Sequence, residues 1–80
     1  MYFTYILRSE KDGGFYYGSC SDTDQRLKDH NAGRVRSTKN RRPLHLHYTE
    51  SFDTKREAIK REKHFKSIKG YLWLKKNKVI

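Results

Sequence analysis

Glu62 is a carboxylate on the apolar face of a predicted helix. At 100° per residue, with Ala58 set to 0°, the apolar stripe of that helix includes Phe65 at about −20°. The stripe extends to Ile68 at about −80° and to Ile59 at about 100°. Glu62 falls at about 40°, where burying an unpaired charge would be very costly. Either it lies at the edge of the stripe and pairs with a Lys or Arg, or it faces a pocket and serves in metal binding or acid–base chemistry.

A cation and an imidazole share one face of a shorter predicted helix. Arg26 and His30 are four residues apart, so they are neighbours on the helix surface. Leu27, the only large apolar residue of that helix, marks its inward side next to them. Charged residues on helix surfaces are usually only solvated, but the position of Leu27 brings these two close to whatever the helix packs against.

Two tyrosines lie on adjacent predicted strands. Tyr5 belongs to the first strand and Tyr16 to the second, and half-buried packing alone can explain both. Gly18, also in the second strand, lacks a side chain there, which indicates a bulge or a close approach by another backbone or a ligand. His45 and His47 point to the same side of a third strand, but no further ligands follow at a zinc-like spacing, so we interpret them as surface histidines.

Together these groups form a set that suits phosphodiester hydrolysis. A carboxylate can hold a divalent metal ion, a second group can deprotonate water, and an arginine can stabilise the charge of the phosphorane. The net charge of +10 on 80 residues favours a polyanionic partner, with nucleic acid ahead of an anionic membrane surface. The sequence therefore indicates a protein that acts on or binds nucleic acid.

The elements that position these residues predict an α+β fold with a small three-stranded antiparallel sheet flanked by helices. Two strands form a hairpin, a short helix follows, and a third strand precedes a long helix. Their predicted ranges are Tyr2–Arg8, Phe15–Cys20, Asp22 to about Asn31, Leu44–Thr49 and about Lys55 to Ile68. Gly70 is predicted to stop the long helix, and Tyr71–Leu74 to form a short apolar tail or one more helical turn that docks on the sheet. We expect a single domain over residues 1–80.

Composition narrows the class of protein further. No apolar run is long enough to span a membrane, and the N-terminus lacks the order of a secretion signal. Cys20 is the only cysteine, which excludes an intrachain disulfide; we interpret it as a small buried hydrophobe and expect no disulfide-linked partner. The content of 6 Tyr, 4 Phe and 1 Trp argues against disorder. We therefore expect a cytoplasmic protein without a membrane partner.

The segment between the short helix and the third strand is strongly basic. From Arg34 to Arg42 it contains five cations and one apolar residue, Val35, so we predict a loop or a frayed element under strong self-repulsion. Such a segment can follow a phosphate backbone without regard to sequence. The candidate substrate-binding residues are Arg34, Arg36, Lys39, Arg41 and Arg42.

Five short motifs, in order along the chain, resemble those of the GIY-YIG nuclease superfamily, above all its small stand-alone bacterial members. The motifs are Phe3-Thr4-Tyr5, Tyr16-Tyr17-Gly18, Gln25–Asn31, Arg41-Arg42-Pro43 and Lys55–Glu62. Each motif alone is weak evidence for the family, but all of them in order at the family's spacing are strong evidence. The resemblance implies a three-stranded antiparallel sheet flanked by helices, and an endonuclease that hydrolyses DNA with one Mg²⁺ or Mn²⁺ ion, in repair or recombination. Glu62 matches the single metal ligand of the family.

The same resemblance implies roles for the other matched residues. Tyr5 and Tyr16 correspond to the tyrosines that orient or deprotonate the attacking water. Gly18 leaves room beside them for the scissile phosphate. Arg26 corresponds to the arginine that stabilises the phosphate, and His30 to a position that supports binding or proton transfer.

The sequence also departs from the family pattern. Phe3 replaces the glycine of the first motif, Ser19 stands where the repair nucleases have a lysine, and Asn77 is only a candidate for an asparagine after the long helix. Because nucleases of the family usually select DNA through a separate domain, substrate specificity stays open. A non-catalytic nucleic-acid-binding module and a small ribosome-associated structural protein are the alternatives, although neither accounts for Glu62.

Overall fold

The computed structural model describes residues 1–80, which form three strands and three α-helices around one sheet. The elements are β1 (Tyr2–Ser9), β2 (Phe15–Cys20), α1 (Thr23–Asn31), β3 (Leu44–Phe52), α2 (Lys55–Phe65) and α3 (Ile68–Lys76), with one 3₁₀ turn at Lys39–Arg41. The strands are antiparallel in the order β2-β1-β3, so the predicted α+β class and three-stranded sheet are confirmed. None of the helices has the length and apolar character of a membrane span.

The hairpin of β1 and β2 places the two candidate tyrosines on one face of the sheet. Gly13 in the turn has a φ of +70°, which a glycine adopts without strain. The register pairs Tyr5 with Gly18 and Leu7 with Tyr16. Tyr5 and Tyr16 are therefore diagonal neighbours, because side chains two residues apart along a strand share a face.

The two faces of the sheet carry separate apolar cores, since side chains alternate along each strand. The core on the face covered by α1 consists of Tyr5, Leu7 and Leu44, with Leu27 of α1 packed against it. The core on the face covered by α2 and α3 consists of Ile6, Phe65 and Leu74. The face covered by α1 is called the α1 face below, and the opposite one the α2 face.

Side-chain caps fix the starts of α1 and α2. The Asp22 carboxylate accepts from the backbone N–H of Gln25 at 3.1 Å, and the Thr54 hydroxyl accepts from that of Glu57 at 3.2 Å. After α1, Gly33 adopts a φ of +79°, which only a glycine adopts readily. The boundaries of the helix that carries Arg26 and His30 are thus local properties of the sequence.

The predicted end of the long helix is wrong. The helix α2 stops at Phe65, and the Ser67 hydroxyl caps α3 by accepting from the backbone N–H of Gly70 at 3.1 Å. Gly70 lies inside α3, where a Cβ would overlap the carbonyl group of His64, so the glycine permits close packing instead of ending a helix. As a result Ile68 leaves the apolar stripe and is 80% exposed.

Two other elements are longer than predicted. β3 continues to Phe52, which pairs with Tyr2 at the far end of β1. The predicted tail Tyr71–Leu74 lies within α3, because Leu74 is fully buried and Trp73 stacks on Phe65 at 6.1 Å between ring centroids. The alternative of a helical turn is thus confirmed for this segment, and the turn is part of a helix of nine residues.

Candidate active site

A buried chain of hydrogen bonds connects β1, α1 and the basic segment. The Tyr5 hydroxyl lies 3.0 Å from Nε2 of His30, and Nδ1 of His30 lies 2.7 Å from Oγ1 of Thr38. None of the three residues is more than 2% exposed. Tyr5 and His30 are candidate site residues from the sequence, whereas Thr38 is not.

The hydrogen-bond donors set the direction of this chain. The Thr38 hydroxyl has the carbonyl of Val35 as its acceptor at 3.4 Å, so its oxygen accepts from Nδ1–H of His30. Nε of Arg26 can only donate, and it lies 3.4 Å from the Tyr5 oxygen, which leaves the Tyr5 hydrogen for His30. We therefore assign His30 as the neutral Nδ1–H tautomer, with the lone pair of Nε2 facing Tyr5.

Burial keeps the phenol and the imidazole neutral. Burial raises the pKa of Tyr5 to about 12, although the hydrogen bond from Arg26 opposes this shift. Burial also lowers the pKa of His30 to about 4, and the positive charge of Arg26 acts in the same direction. The hydrogen bond with Tyr5 raises the pKa of Arg26 in return. At neutral pH Arg26 is thus a cation, whereas Tyr5 and His30 are neutral groups that can carry a proton.

Tyr16 and Gly18 complete this side of the site. The Tyr16 ring meets the His30 ring edge-on at 5.1 Å between centroids and lies 6.5 Å from the Tyr5 ring. A Cβ at Gly18 would overlap the ring of Tyr5, which explains why this strand position is a glycine. The close neighbour at Gly18 is thus the side chain of Tyr5 and not another backbone or a ligand as predicted, and the room for a phosphate stays a prediction.

Glu62 lies on the α2 face, where it is held by two hydrogen bonds. Ser19 points to the face opposite to Gly18, and its hydroxyl donates to Oε1 of Glu62 at 2.8 Å. The ammonium of Lys66 donates to Oε2 at 2.7 Å, one helical turn further along α2. The ion pair considered in the sequence analysis therefore exists, and no hydrogen bond joins Glu62 to Tyr5, Arg26 or His30.

A groove of about 360 Å³ at the end of β2 brings the two sides together. Its lining includes Arg26, the hydrogen-bond partner of Tyr5, and Ser19, the partner of Glu62. Lys55 and Ala58 of α2 line the same groove. The groove therefore contains a hydrogen-bond partner of Tyr5 and one of Glu62, although Tyr5, His30 and Glu62 do not line it themselves.

Comparison with known proteins assigns this arrangement to a family. Residues 1–77 match the model of the GIY-YIG catalytic domain. The chain belongs to the GIY-YIG family. A UPF0213 protein of Staphylococcus aureus strain Mu3 is 42% identical over 80 residues, which cover 99% of this chain and 93% of that protein. The UPF0213 protein SA0446 of strain N315 gives the same values.

A solved structure shows the same GIY-YIG fold. The solution NMR structure of the UPF0213 protein BH0048 from Bacillus halodurans superposes with a TM-score of 0.56 and 34% identity. The match covers 98% of this chain and 86% of that protein. The family is one of nucleases, and the chain is therefore similar to nuclease domains along nearly its whole length.

The donor set of this GIY-YIG domain fits a hard divalent cation. Glu62 is the metal ligand that the family resemblance implies. It would be the only protein ligand, because the chain contains no group of three or more His, Cys, Asp or Glu that could hold a metal ion. One carboxylate completed by water and a phosphate oxygen is a set that Mg²⁺ accepts. The ammonium of Lys66 already donates to Oε2 of Glu62, so it would have to move away before an ion could bind that oxygen. The Lys66 side chain is 51% exposed.

The basic segment of the domain is a loop, as predicted, and it contains one 3₁₀ turn. Lys39–Arg41 form a 3₁₀ turn, and the hydroxyl of Ser9 donates to the carbonyl of Arg41 at 2.6 Å. Thr38, just before the turn, is fully buried against His30. The segment therefore serves as a wall of the site as well as a carrier of charge.

Several cations of that segment are engaged within the fold. Arg34 pairs with Asp29 at 2.9 Å, and Arg41 pairs with Asp12 at 2.9 Å. Arg41 also holds the pKa of Asp12 down, at about 2. The three cations of the segment without an ion pair are Arg36, Lys39 and Arg42.

Other candidate ligands stay outside the site. His45 and His47 are exposed, which agrees with their interpretation as surface residues. Cys20 is only half-buried, against the core of the α1 face, and burial raises the pKa of its thiol.

Ser19 was noted only for the lysine that it replaces, although strand alternation opposite to Gly18 could have indicated its orientation toward α2.

Proposed function

We propose that this protein is an endonuclease that hydrolyses DNA phosphodiester bonds with the help of one divalent metal ion. The feature that supports this proposal best is the hydrogen-bonded chain of Arg26, Tyr5 and His30, because it joins two neutral proton carriers to a half-buried cation in a protein of net charge +10. The lone cysteine fits a reducing cytoplasm, and repair or recombination is the proposed context.

The proton acceptor for the attacking water is the Tyr5 oxygen. With a pKa of about 12, only roughly one Tyr5 side chain in 10⁵ is ionised at pH 7, so the phenol must lose its own proton as it takes one from water. Nε2 of His30 accepts that proton. Arg26, whose Nε donates to the same oxygen, stabilises the negative charge that develops there.

The phosphate is bound from two directions. Nε of Arg26 is directed to Tyr5, which leaves the two terminal nitrogens of its guanidinium for oxygens of the scissile phosphate. Glu62 would hold the divalent ion, which when bound supplies positive charge for the leaving oxygen. Ser19 orients the carboxylate for this task through its hydrogen bond to Oε1.

A non-catalytic nucleic-acid-binding module is the second candidate function. The observation in its favour is that both oxygens of Glu62 already accept hydrogen bonds within the chain. In that case Glu62 would only anchor Lys66 and Ser19, and removal of its charge would leave nucleic-acid binding as the whole activity.

The deciding experiment incubates the protein with branched and linear DNAs in Mg²⁺, Mn²⁺ or EDTA, together with two charge-matched variants. We expect cleavage by the native protein with metal only, and a folded Glu62→Gln variant that binds DNA but does not cleave it. Glu57→Gln removes the same charge from the same helix and should cleave at the native rate. Native cleavage rates in Glu62→Gln would contradict the proposed mechanism, and DNA binding without cleavage by the native protein would favour the binding module.

A further inference from the structure

A second groove, of about 560 Å³, lies along the outer face of α2. Its lining consists of Ile59 and four cations, Lys55, Arg56, Lys60 and Lys63. All four cations are exposed, and none of them takes part in an ion pair. In contrast to Arg34 and Arg41, their charge is not neutralised by a neighbouring carboxylate.

This groove is adjacent to the groove of the candidate active site. Lys55 lines both the α2 groove and the groove at the end of β2 that contains Arg26. The basic segment has its own groove, of about 480 Å³, lined by Lys39 and Arg42 among others. That groove shares no residue with the active-site groove, so the cationic path that leaves Arg26 runs over α2.

The surface of α1 next to Arg26 offers less positive charge to a polyanion. A small groove of about 150 Å³ there is lined by Arg26 together with Asp22 and Asp29. Asp29 is paired with Arg34, so these two charges offset each other, and Asp22 has no ion-pair partner. A phosphate chain that passes Arg26 therefore meets further unpaired cations over α2 but not in the groove over α1.

We propose that the α2 cations bind the phosphate backbone of the nucleic-acid strand that enters the active site. This inference rests on the proposed function for the identity of the substrate. From Lys55 to Lys63 the helix rises by about 12 Å, which matches three to four phosphates at roughly 3.4 Å per charge along one strand of a B-form duplex. No aromatic side chain lines the groove, so it offers no stacking platform and binds the backbone without regard to sequence.

A pair of charge-matched variants tests the proposal. In one variant Lys55, Arg56, Lys60 and Lys63 become Gln, and in the control Lys69, Lys75, Lys76 and Lys78 become Gln. Each loses four positive charges, and circular dichroism checks that both fold. Binding to a short duplex and to a short single strand is measured in EDTA, where metal-dependent cleavage does not interfere.

We expect the α2 variant to show a flatter dependence of log K on log salt. The slope should fall by roughly 0.9 for each duplex phosphate that the variant no longer neutralises, or by roughly 0.7 for each phosphate of the single strand. The control should keep a slope within roughly 0.9 of the native value on the duplex. Equal slopes in the two variants would show that only overall charge matters, and would overturn the proposal.

A measurement on the unmodified protein covers the case in which the α2 variant does not fold. In an NMR titration with the same short duplex in EDTA, we expect the largest amide shifts at Lys55–Lys63, and smaller ones at Lys39–Arg41. If the native protein binds in this way but cleaves no DNA, the nuclease proposal fails and the binding path stands. If it cleaves DNA while the α2 amides do not move, the binding path fails and the nuclease proposal stands.

Discussion

The candidate functional groups on the two faces of the sheet lie in opposite environments. On the α1 face, Tyr5, His30 and Thr38 are buried and joined in one hydrogen-bond chain, and burial shifts the pKa values of Tyr5 and His30 toward the neutral forms. On the α2 face, Glu62 and Lys66 form an ion pair near the surface, and the cations of the α2 groove are open to solvent.

This difference separates two kinds of chemistry. Proton transfer requires fixed orientation and groups of matched charge, which a buried network provides because its members have no alternative partners. Binding of phosphate and metal requires charge that a ligand can reach, and surface ion pairs add little stability. Changes in the buried network on the α1 face should therefore lower stability and rate together, whereas changes to the exposed charges on the α2 face should alter binding or metal affinity with little effect on folding.

The largest effect is expected from Tyr5→Phe. The variant loses the proton acceptor for water and should cleave about 10²- to 10⁴-fold more slowly. It also leaves Nε2 of His30 without a partner, so unfolding should become easier by about 1–3 kcal/mol. Tyr17→Phe on the α2 face is the control and should change neither quantity much. Single-turnover cleavage and urea denaturation measure the two effects, and a fast Tyr5→Phe enzyme would place the proton step elsewhere.

The next effect is an acid destabilisation caused by His30. Its pKa of about 4 lies below the usual 6.5, so between these values the unfolded chain binds more protons than the folded one. The contribution of neutral His30 to the free energy of unfolding should be fully present above about pH 6.5. It should be lost as the pH falls toward 4, by roughly 3 kcal/mol.

The pH dependence is tested by urea denaturation of the native protein and of His30→Gln at several pH values. The difference between the two proteins isolates the contribution of His30 from that of the carboxyl groups. His45→Gln, which removes an exposed histidine, should follow the native curve. Parallel curves for the native protein and His30→Gln would mean that His30 is not held neutral.

Most of the site could be predicted because its residues are placed by local rules. Strand alternation and a glycine turn bring Tyr5 and Tyr16 together, and helix periodicity sets Arg26 beside His30. The angular position of Glu62 correctly indicated a carboxylate that needs partners, although it did not identify which ones.

The remaining features depend on contacts between distant residues. The charge count of the basic segment suggested free cations, but Arg41 meets Asp12, 29 residues away. A glycine at position 70 can either end a helix or allow close packing. Only the fold shows that close packing is the reason here. Thr38 gave no signal, because it lies among cations in a segment without periodicity.

A smaller effect is expected from Thr38→Val, which keeps the shape of the side chain but removes the acceptor for Nδ1–H of His30. Stability should fall by about 1–3 kcal/mol, since that N–H becomes a buried donor without a partner. Thr4→Val is the control on the α2 face, because the Thr4 hydroxyl is equally buried and donates to Ala58 at 2.7 Å.

The two variants differ in what happens to the imidazole. Both should be less stable, but only Thr38→Val should shift the ¹⁵N resonances of His30 away from the Nδ1–H tautomer and slow cleavage. Thr38→Ser restores the hydroxyl and should restore both. If Thr4→Val and Thr38→Val slow cleavage equally, Thr38 supports the fold alone and does not position His30.

The smallest effect is expected from Lys66→Met, which tests whether the ion pair on the α2 face competes with metal. A Glu–Lys pair one helical turn apart stabilises a helix by only about 0.2–0.5 kcal/mol, so folding should hardly change. Without the ammonium on Oε2, Glu62 should bind Mn²⁺ a few-fold more tightly. Paramagnetic broadening of amides near Glu62 reports this affinity independently of activity, with Lys69→Met as the control and Glu62→Gln as the variant without the site. A weaker Mn²⁺ affinity in Lys66→Met would instead mean that Lys66 holds the carboxylate in place for the ion.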